Sequence, residues 1–258
     1  MTWFPSSETF AALAADPRFP FALGIAALSG IVRGFSGFGS AMIYVPLMAA
    51  IYSPREAATT LVLMDFVSAL IPALQVRKQA NWSDVVPILI ASVVCVPLGT
   101  MILLAADQAI LRWIISIGIL GLLAVLITGW RYRGPTSLPL KIGIGAVSGV
   151  GSGAANAGGP PVIVYWLSTA APAAMRANLL VYFQFNGAAM IASFALQGVF
   201  DRNNIALALI VGPTFGIALA IGSRFFRGAS DTLYRNVAYA IVAVAAFIGV
   251  PVFDGILR

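Results

Sequence analysis

An arginine and an aspartate stand deep inside long apolar runs of this chain. Arg33 lies in RGFSGFGSAMIYVP, within the run from Phe21 to Ile51, and Asp65 lies in TTLVLMDFVSALIP. A charge at the centre of a membrane helix costs roughly 2.5–3.5 kcal/mol on insertion scales, so such residues face the bundle interior and mark functional positions. Arg33 can hold an anion with a fixed positive charge, or snorkel to the interface. Asp65 can carry a proton, stay protonated as a hydrogen-bond donor, or pair with Arg33. The chain has no histidine, which leaves Asp65 as its best intramembrane proton carrier.

Small polar residues and glycines cluster around these charges. Gly37 and Gly39 alternate with Ser36 and Ser40, and a second cluster holds Ser152, Asn156, Gly158 and Gly159 just ahead of Pro160 and Pro161. Glycine lets the backbone turn and approach closely, and a turn at a helix N-terminus presents N–H groups that favour an anion. Two such turns meeting near the membrane midplane make a small oxyanion site. Asn178, Tyr182 and Asn186 recur at i, i+4, i+8 spacing. They form a polar stripe that either lines the same cavity or bonds neighbouring helices. Gly24, Gly30, Gly143 and Gly149 read as helix-packing contacts of the small-xxx-small type.

The elements that position these residues follow from composition. The chain is 60% hydrophobic and 9% charged, against about 25% charged for soluble domains. Several apolar runs reach the ~20 residues needed to cross a bilayer. The fold class is therefore an all-α polytopic membrane protein. The fifteen Lys and Arg are scattered at segment ends as topology signals, so nucleic acid is not a partner. One cysteine and no histidine argue against a metal centre or any other cofactor. No Ser/His pair, HExxH motif or paired carboxylates support catalysis, so no catalytic residue is assigned. SETFAALAA reads as a short helix at the membrane interface.

The two halves repeat. A shift of 119 positions lays GIAALSGIVRGFSGFGSA over GIGAVSGVGSGAANAGGP with seven identities in eighteen, and aligns Asp65 with Gln184. Internal duplication is a mark of secondary transporters, whose sites lie between the repeats. The division expected is residues 1–20 as an interfacial segment, 21–133 as the first transmembrane repeat and 134–258 as the second. Residues 21–51 would make a helix of about 46 Å, too long for one span of a core ~30 Å thick and too short for two. Each half therefore reads as a glycine-rich broken helix or re-entrant hairpin followed by three transmembrane helices. The hairpin form gathers Arg77, Lys78, Arg131, Arg133, Lys141, Arg176, Arg224 and Arg227 on one face. The positive-inside rule prefers that arrangement, and three crossings per half make the repeats inverted.

GIVRGFSGFGSAMIYVPL, echoed about 120 residues later by GVGSGAANAGGPPVIVYWL, resembles the TauE/SafE family of sulfite and organosulfonate exporters over nearly the whole chain. The resemblance implies a multi-pass transporter of the bacterial inner membrane that moves small sulfur oxyanions or sulfonates outward. The expected mechanism is alternating access, with or without proton coupling through Asp65; a passive anion channel is the alternative. The expected substrate-binding residues are Arg33, Ser36, Gly37, Gly39, Ser40, Ser152, Asn156, Gly158, Gly159, Asn178, Gln184 and Asn186. Partners are the small anion and membrane lipid, and the oligomeric state is open, a homo-oligomer included.

Overall fold

The computed structural model describes residues 5–36, 39–225 and 231–253, with the side chains of residues 35, 36, 225, 231–238 and 253 not described. Among the described residues the regular structure is entirely helical: α1 (Ser7–Ala14), α2 (Phe19–Ser36), α3 (Ser40–Ile51), α4 (Pro54–Val76), α5 (Trp82–Ala105), α6 (Gln108–Thr128), α7 (Leu138–Ala155), α8 (Gly159–Thr169), α9 (Pro172–Leu196), α10 (Arg202–Phe225) and α11 (Asp231–Ile248), with a 3-10 turn at Pro251–Phe253. The series α2–α6 recurs as α7–α11. Five helices are long and apolar enough to span a membrane: α4, α5, α6, α9 and α10. Large apolar side chains such as Val67, Ile71, Val94, Leu98, Ile114 and Ile117 point outward, where a bilayer rather than water solvates them.

Local signals set the boundaries. Ser53-Pro54-Arg55-Glu56 starts α4 with proline in the first turn and Ser53 Oγ accepting the Glu56 N–H at 3.2 Å, the expected N-cap chemistry. Asp107 Oδ1 accepts from Ala109 N–H at 2.8 Å at the start of α6, and Gly129 ends that helix in the left-handed region. α1 has no buried residue and turns through 87° into α2.

Two contacts decide between a broken helix and a hairpin. In the second half, Asp84 at the start of α5 holds Lys141 Nζ at 2.6 Å, near the start of α7. It also accepts from Tyr165 Oη and Trp166 Nε1, each at 3.0 Å, near the end of α8. The end of α8 has thus returned to the level at which α7 began. In the first half, Arg18, just before α2, donates to Ile51 O at 3.3 Å and stacks 4.4 Å from the Tyr52 ring centroid, just past α3. Both glycine-rich segments are re-entrant hairpins.

Each hairpin has a long arm and a short one. α7 spans 18 residues, about 27 Å, then reverses at residues 156–158. Ser148 Oγ donates to Gly158 O, so the chain has already run back beside the middle of α7 when α8 begins. The reversal is locally specified. Asn156 adopts the left-handed region (φ 54°), and the Asn156 and Ala157 N–H groups bond Ser152 O and Gly151 O, both at 2.9 Å. Asparagine is among the few residues with a side chain that tolerate this conformation. A β-carbon on Gly158 would stand 2.0 Å from Ser152 Oγ and 2.2 Å from Ser148 O, so only glycine fits there.

The long arms are held by the opposite half. α7 packs along α5 and α2 along α10. Backbones approach so closely that a β-carbon at Gly149 or Gly153 would sit 2.2 Å from Ser92 O or Val96 O; at Gly34 it would sit 2.0 Å from Leu219 O. This is the small-residue packing that replaces hydrophobic driving force inside a bilayer. Gly30 and Gly149 take part in it, as expected. Gly24 and Gly143 do not, since no atom lies within 4 Å of a β-carbon there; both are exposed on the outward side of the long arm, while Ala22, Ala26 and Gly145 beside them are buried.

The two hairpins open at opposite ends of the bundle. The first opens beside Arg55, whose guanidinium clamps Val199 O and Gly198 O at the end of α9. The second opens beside Asn81, whose N–H is bound by Asn178 Oδ1 at the start of α9. In a background with Cys95 replaced by serine, an impermeant maleimide should label Gln79→Cys and Thr169→Cys from one side and Gln108→Cys from the other. Labelling of Thr169→Cys from the Gln108 side would contradict the hairpin.

Candidate functional site

The short arms α3 and α8 begin facing one another across the middle of the bundle. Between them lies a cavity of ≈ 90 Å³, well below the roughly 300–1,000 Å³ of sites for drug-sized ligands. Of the residues expected in the site, Arg33, Gly39, Ser40, Ser152, Asn156, Gly159, Gln184, Asn186 and Asp65 line it. Gly158 lies behind it, against Ser148 and Ser152. Asn178 is elsewhere, capping the start of α5 through the Asn81 N–H at 2.8 Å. The Ser36 side chain and Gly37 lie outside the described residues.

Asp65 and Gln184, repeat counterparts, are the central residues of α4 and α9. Arg33 is 6% exposed and meets Asp65 with Nε 2.5 Å from Oδ1. The pair uses only part of the guanidinium: Arg33 Nη2 is buried with no hydrogen-bond partner among the described residues. Arg33 and Asp65 are the ionisable residues lining the cavity. Desolvating two charges is repaid only by good mutual geometry, and removing one partner alone leaves an uncompensated buried charge.

Backbone donors are distributed unequally. α3 starts from Gly39, held at φ 95°, with no side chain capping its first turn. Its Ser40 and Ala41 N–H groups are thus available, and the dipole favours negative charge at that end. α8 starts Gly159-Pro160-Pro161, and the two prolines remove two of the N–H groups such a turn would offer. The first hairpin thus keeps more N–H groups at the start of its short arm than the second, a difference the repeat pattern alone does not reveal.

The second hairpin is braced instead by neutral hydrogen bonds. Ser148 Oγ, already bonded to Gly158 O, also meets Tyr182 Oη at 2.7 Å. Tyr182 Oη donates to Ser92 Oγ at 2.8 Å, and Ser92 Oγ donates to Asn186 Oδ1 at 2.8 Å. Asn186 Nδ2 completes the chain with a 2.8 Å bond to Ser152 Oγ. Asn156 Nδ2 ties the reversal to Ala58 O of α4 at 2.7 Å. Tyr182 and Asn186 thus bond neighbouring helices, and Asn186 also lines the cavity. Sequence reasoning missed Ser92 and Asp84. Ser92 is one hydroxyl in an apolar run, and its repeat counterpart is Val211. Asp84 follows a tryptophan at a helix start and reads as an interfacial residue.

These contacts make a stability prediction. Arg33→Met should destabilise the protein by about 3 kcal/mol, the lower end for a buried pair because Asp65 keeps 22% of its side-chain exposure, seen as a lower thermal unfolding midpoint in detergent. The double variant Arg33→Met/Asp65→Leu should recover most of that loss. A double variant no more stable than the single one would show that the pair does not carry this energy.

Residues 22–248 match the family described as sulfite exporter TauE/SafE. No curated protein and no solved structure matches the chain. The matched span takes in both hairpins, the central cavity and the five long helices. The members of that family are membrane transporters, not enzymes, and the all-helical polytopic fold fits. This chain belongs to the sulfite exporter TauE/SafE family.

Proposed function

We propose that the protein exports sulfite-like oxyanions or organosulfonates across a bacterial inner membrane by alternating access. The observation that carries this reading is Arg33, a buried guanidinium with an unpartnered Nη2, placed in the same cavity as the free N–H end of α3. Opposite-facing hairpin mouths support inverted repeats, an arrangement in which one bundle rocks against the other about a fixed central site. The charge distribution supports orientation. Arg77, Lys78, Arg131, Arg133, Lys141, Arg176 and Arg224 lie at the end where the second hairpin opens, and the positive-inside rule makes that end cytoplasmic. A negative cell interior then favours outward movement of an anion.

Asp65 gives the cycle a proton-coupling group. An anion that takes Arg33 leaves Asp65 as an unpaired carboxylate in a low-dielectric site. Binding a proton is the least costly compensation for a buried lone charge. When the anion leaves, Asp65 pairs with Arg33 again and gives the proton up, so that each cycle takes up and releases one proton.

Proteoliposomes test this directly. Radiolabelled sulfite uptake should saturate and respond to an imposed proton gradient. Arg33→Gln should lower uptake about tenfold or more, by analogy with the 2–5 kcal/mol lost when a desolvated charge contact is truncated. Asp65→Asn should abolish the proton response. Ohmic conductance with no counterflow would replace the transporter with a channel, and absence of saturable uptake would remove the substrate class.

A further inference from the structure

The cavity contains a polar atom that a fully deprotonated anion cannot use. Gln184 is 8% exposed, lines the cavity and donates from Nε2 to Phe66 O at 3.2 Å. A carbonyl oxygen can only accept, so this bond fixes which end of the amide is which. Oε1 is the end left over, buried and without a hydrogen-bond partner among the described residues. A buried acceptor left unsatisfied costs about 1–3 kcal/mol.

The duplication explains how Gln184 came to lack a partner. Its counterpart Asp65 meets Arg33, but the position matching Arg33 is Ser152, and Ser152 Oγ is taken by Asn186 at 2.8 Å. Among the described residues lining the cavity, the buried side-chain polar atoms without a hydrogen bond are one donor, Arg33 Nη2, and two acceptors, Asp65 Oδ1 and Gln184 Oε1. Asp65 Oδ1 faces Arg33 Nε at 2.5 Å, which leaves Gln184 Oε1 as the acceptor with no ion-pair contact. A dianion with no proton satisfies Arg33 Nη2 and sets its lone pairs against Gln184 Oε1. A monoanion that keeps an O–H satisfies both. Net charge argues the same way. With Arg33 given to the anion and Asp65 protonated, the cavity balances one negative charge and leaves a second uncompensated.

We infer that the substrate is a singly charged sulfur oxyanion or sulfonate bearing its own hydrogen-bond donor, such as monoprotonated sulfite or a hydroxyl-bearing sulfonate, and that Gln184 Oε1 selects it by accepting that bond. The inference rests on the cavity being the anion site proposed above.

The test compares two competitors of radiolabelled sulfite uptake by the full-length protein in proteoliposomes. 2-Hydroxyethanesulfonate and 1-propanesulfonate are both monoanions at every working pH, and the second places a methyl where the first has its hydroxyl. In the wild type, the hydroxylated competitor should inhibit at concentrations about tenfold lower or less, the discrimination expected when a buried acceptor is otherwise left unpaired. Gln184→Met, checked for folding by its thermal midpoint, should bring the two to the same potency. Equal potency in the wild type overturns the inference without any variant, and so does a preference that survives Gln184→Met. Loss of saturable sulfite uptake in the wild type would instead overturn the transport reading, and this inference with it.

Discussion

Backbone that leaves a helix inside a bilayer must find partners within the protein, and the structure is organised around meeting that demand twice. The second hairpin reverses at residues 156–158 inside the bundle, and in a bilayer an unsatisfied N–H or C=O there would cost several kcal/mol. The reversal is affordable only where another helix stands close enough to cover it. That closeness comes from glycine. Gly145, Gly149 and Gly153 let α7 lie on the α5 backbone, and Gly30 and Gly34 let α2 lie on α10. Each hairpin is thereby gripped by the opposite half, so neither half would bury its own hairpin alone.

The grip creates a polar space at mid-height, and the two halves fill it differently. The first uses charge, with Arg33 against Asp65 and the open N–H groups of α3. The second uses neutral groups, with Ser148, Tyr182, Ser92 and Asn186 linked in series to Ser152. A rigid neutral wall facing a charged, rearrangeable one suits a site where the anion competes for Arg33 while the opposite side holds its shape.

Much of this was legible in the sequence because charge and length are strong signals in an apolar chain. Arg33 and Asp65 stood out against their neighbours, and residues 21–51 were the wrong length for whole spans. The identities between Gly24–Ala41 and Gly143–Pro160 pointed to duplication. The hydrogen-bonded wall was far less legible. Ser92 has no patterned neighbours, and the sequence does not say that α5 rather than a sequence neighbour would cover α7. Asn178 shares the spacing of Tyr182 and Asn186, yet it caps α5 at the end of the bundle. Helical periodicity gives a side chain's face but not its depth relative to another helix. The donor asymmetry between α3 and α8 was hidden for a simpler reason. The repeat drew attention to matching glycines, whereas Pro160 and Pro161 decide how many N–H groups remain.

The central claim is that the anion sits between the starts of the two short arms. Selenite is a heavier analogue of sulfite, and its selenium can be located by anomalous diffraction. Crystals of the Cys95→Ser protein, which lacks the chain's one thiol, soaked in selenite should show an anomalous peak inside the cavity, within contact of Arg33 and the α3 N-terminus. A peak confined to the basic linker at Arg131 and Arg133, with the cavity empty of selenium, would contradict the account.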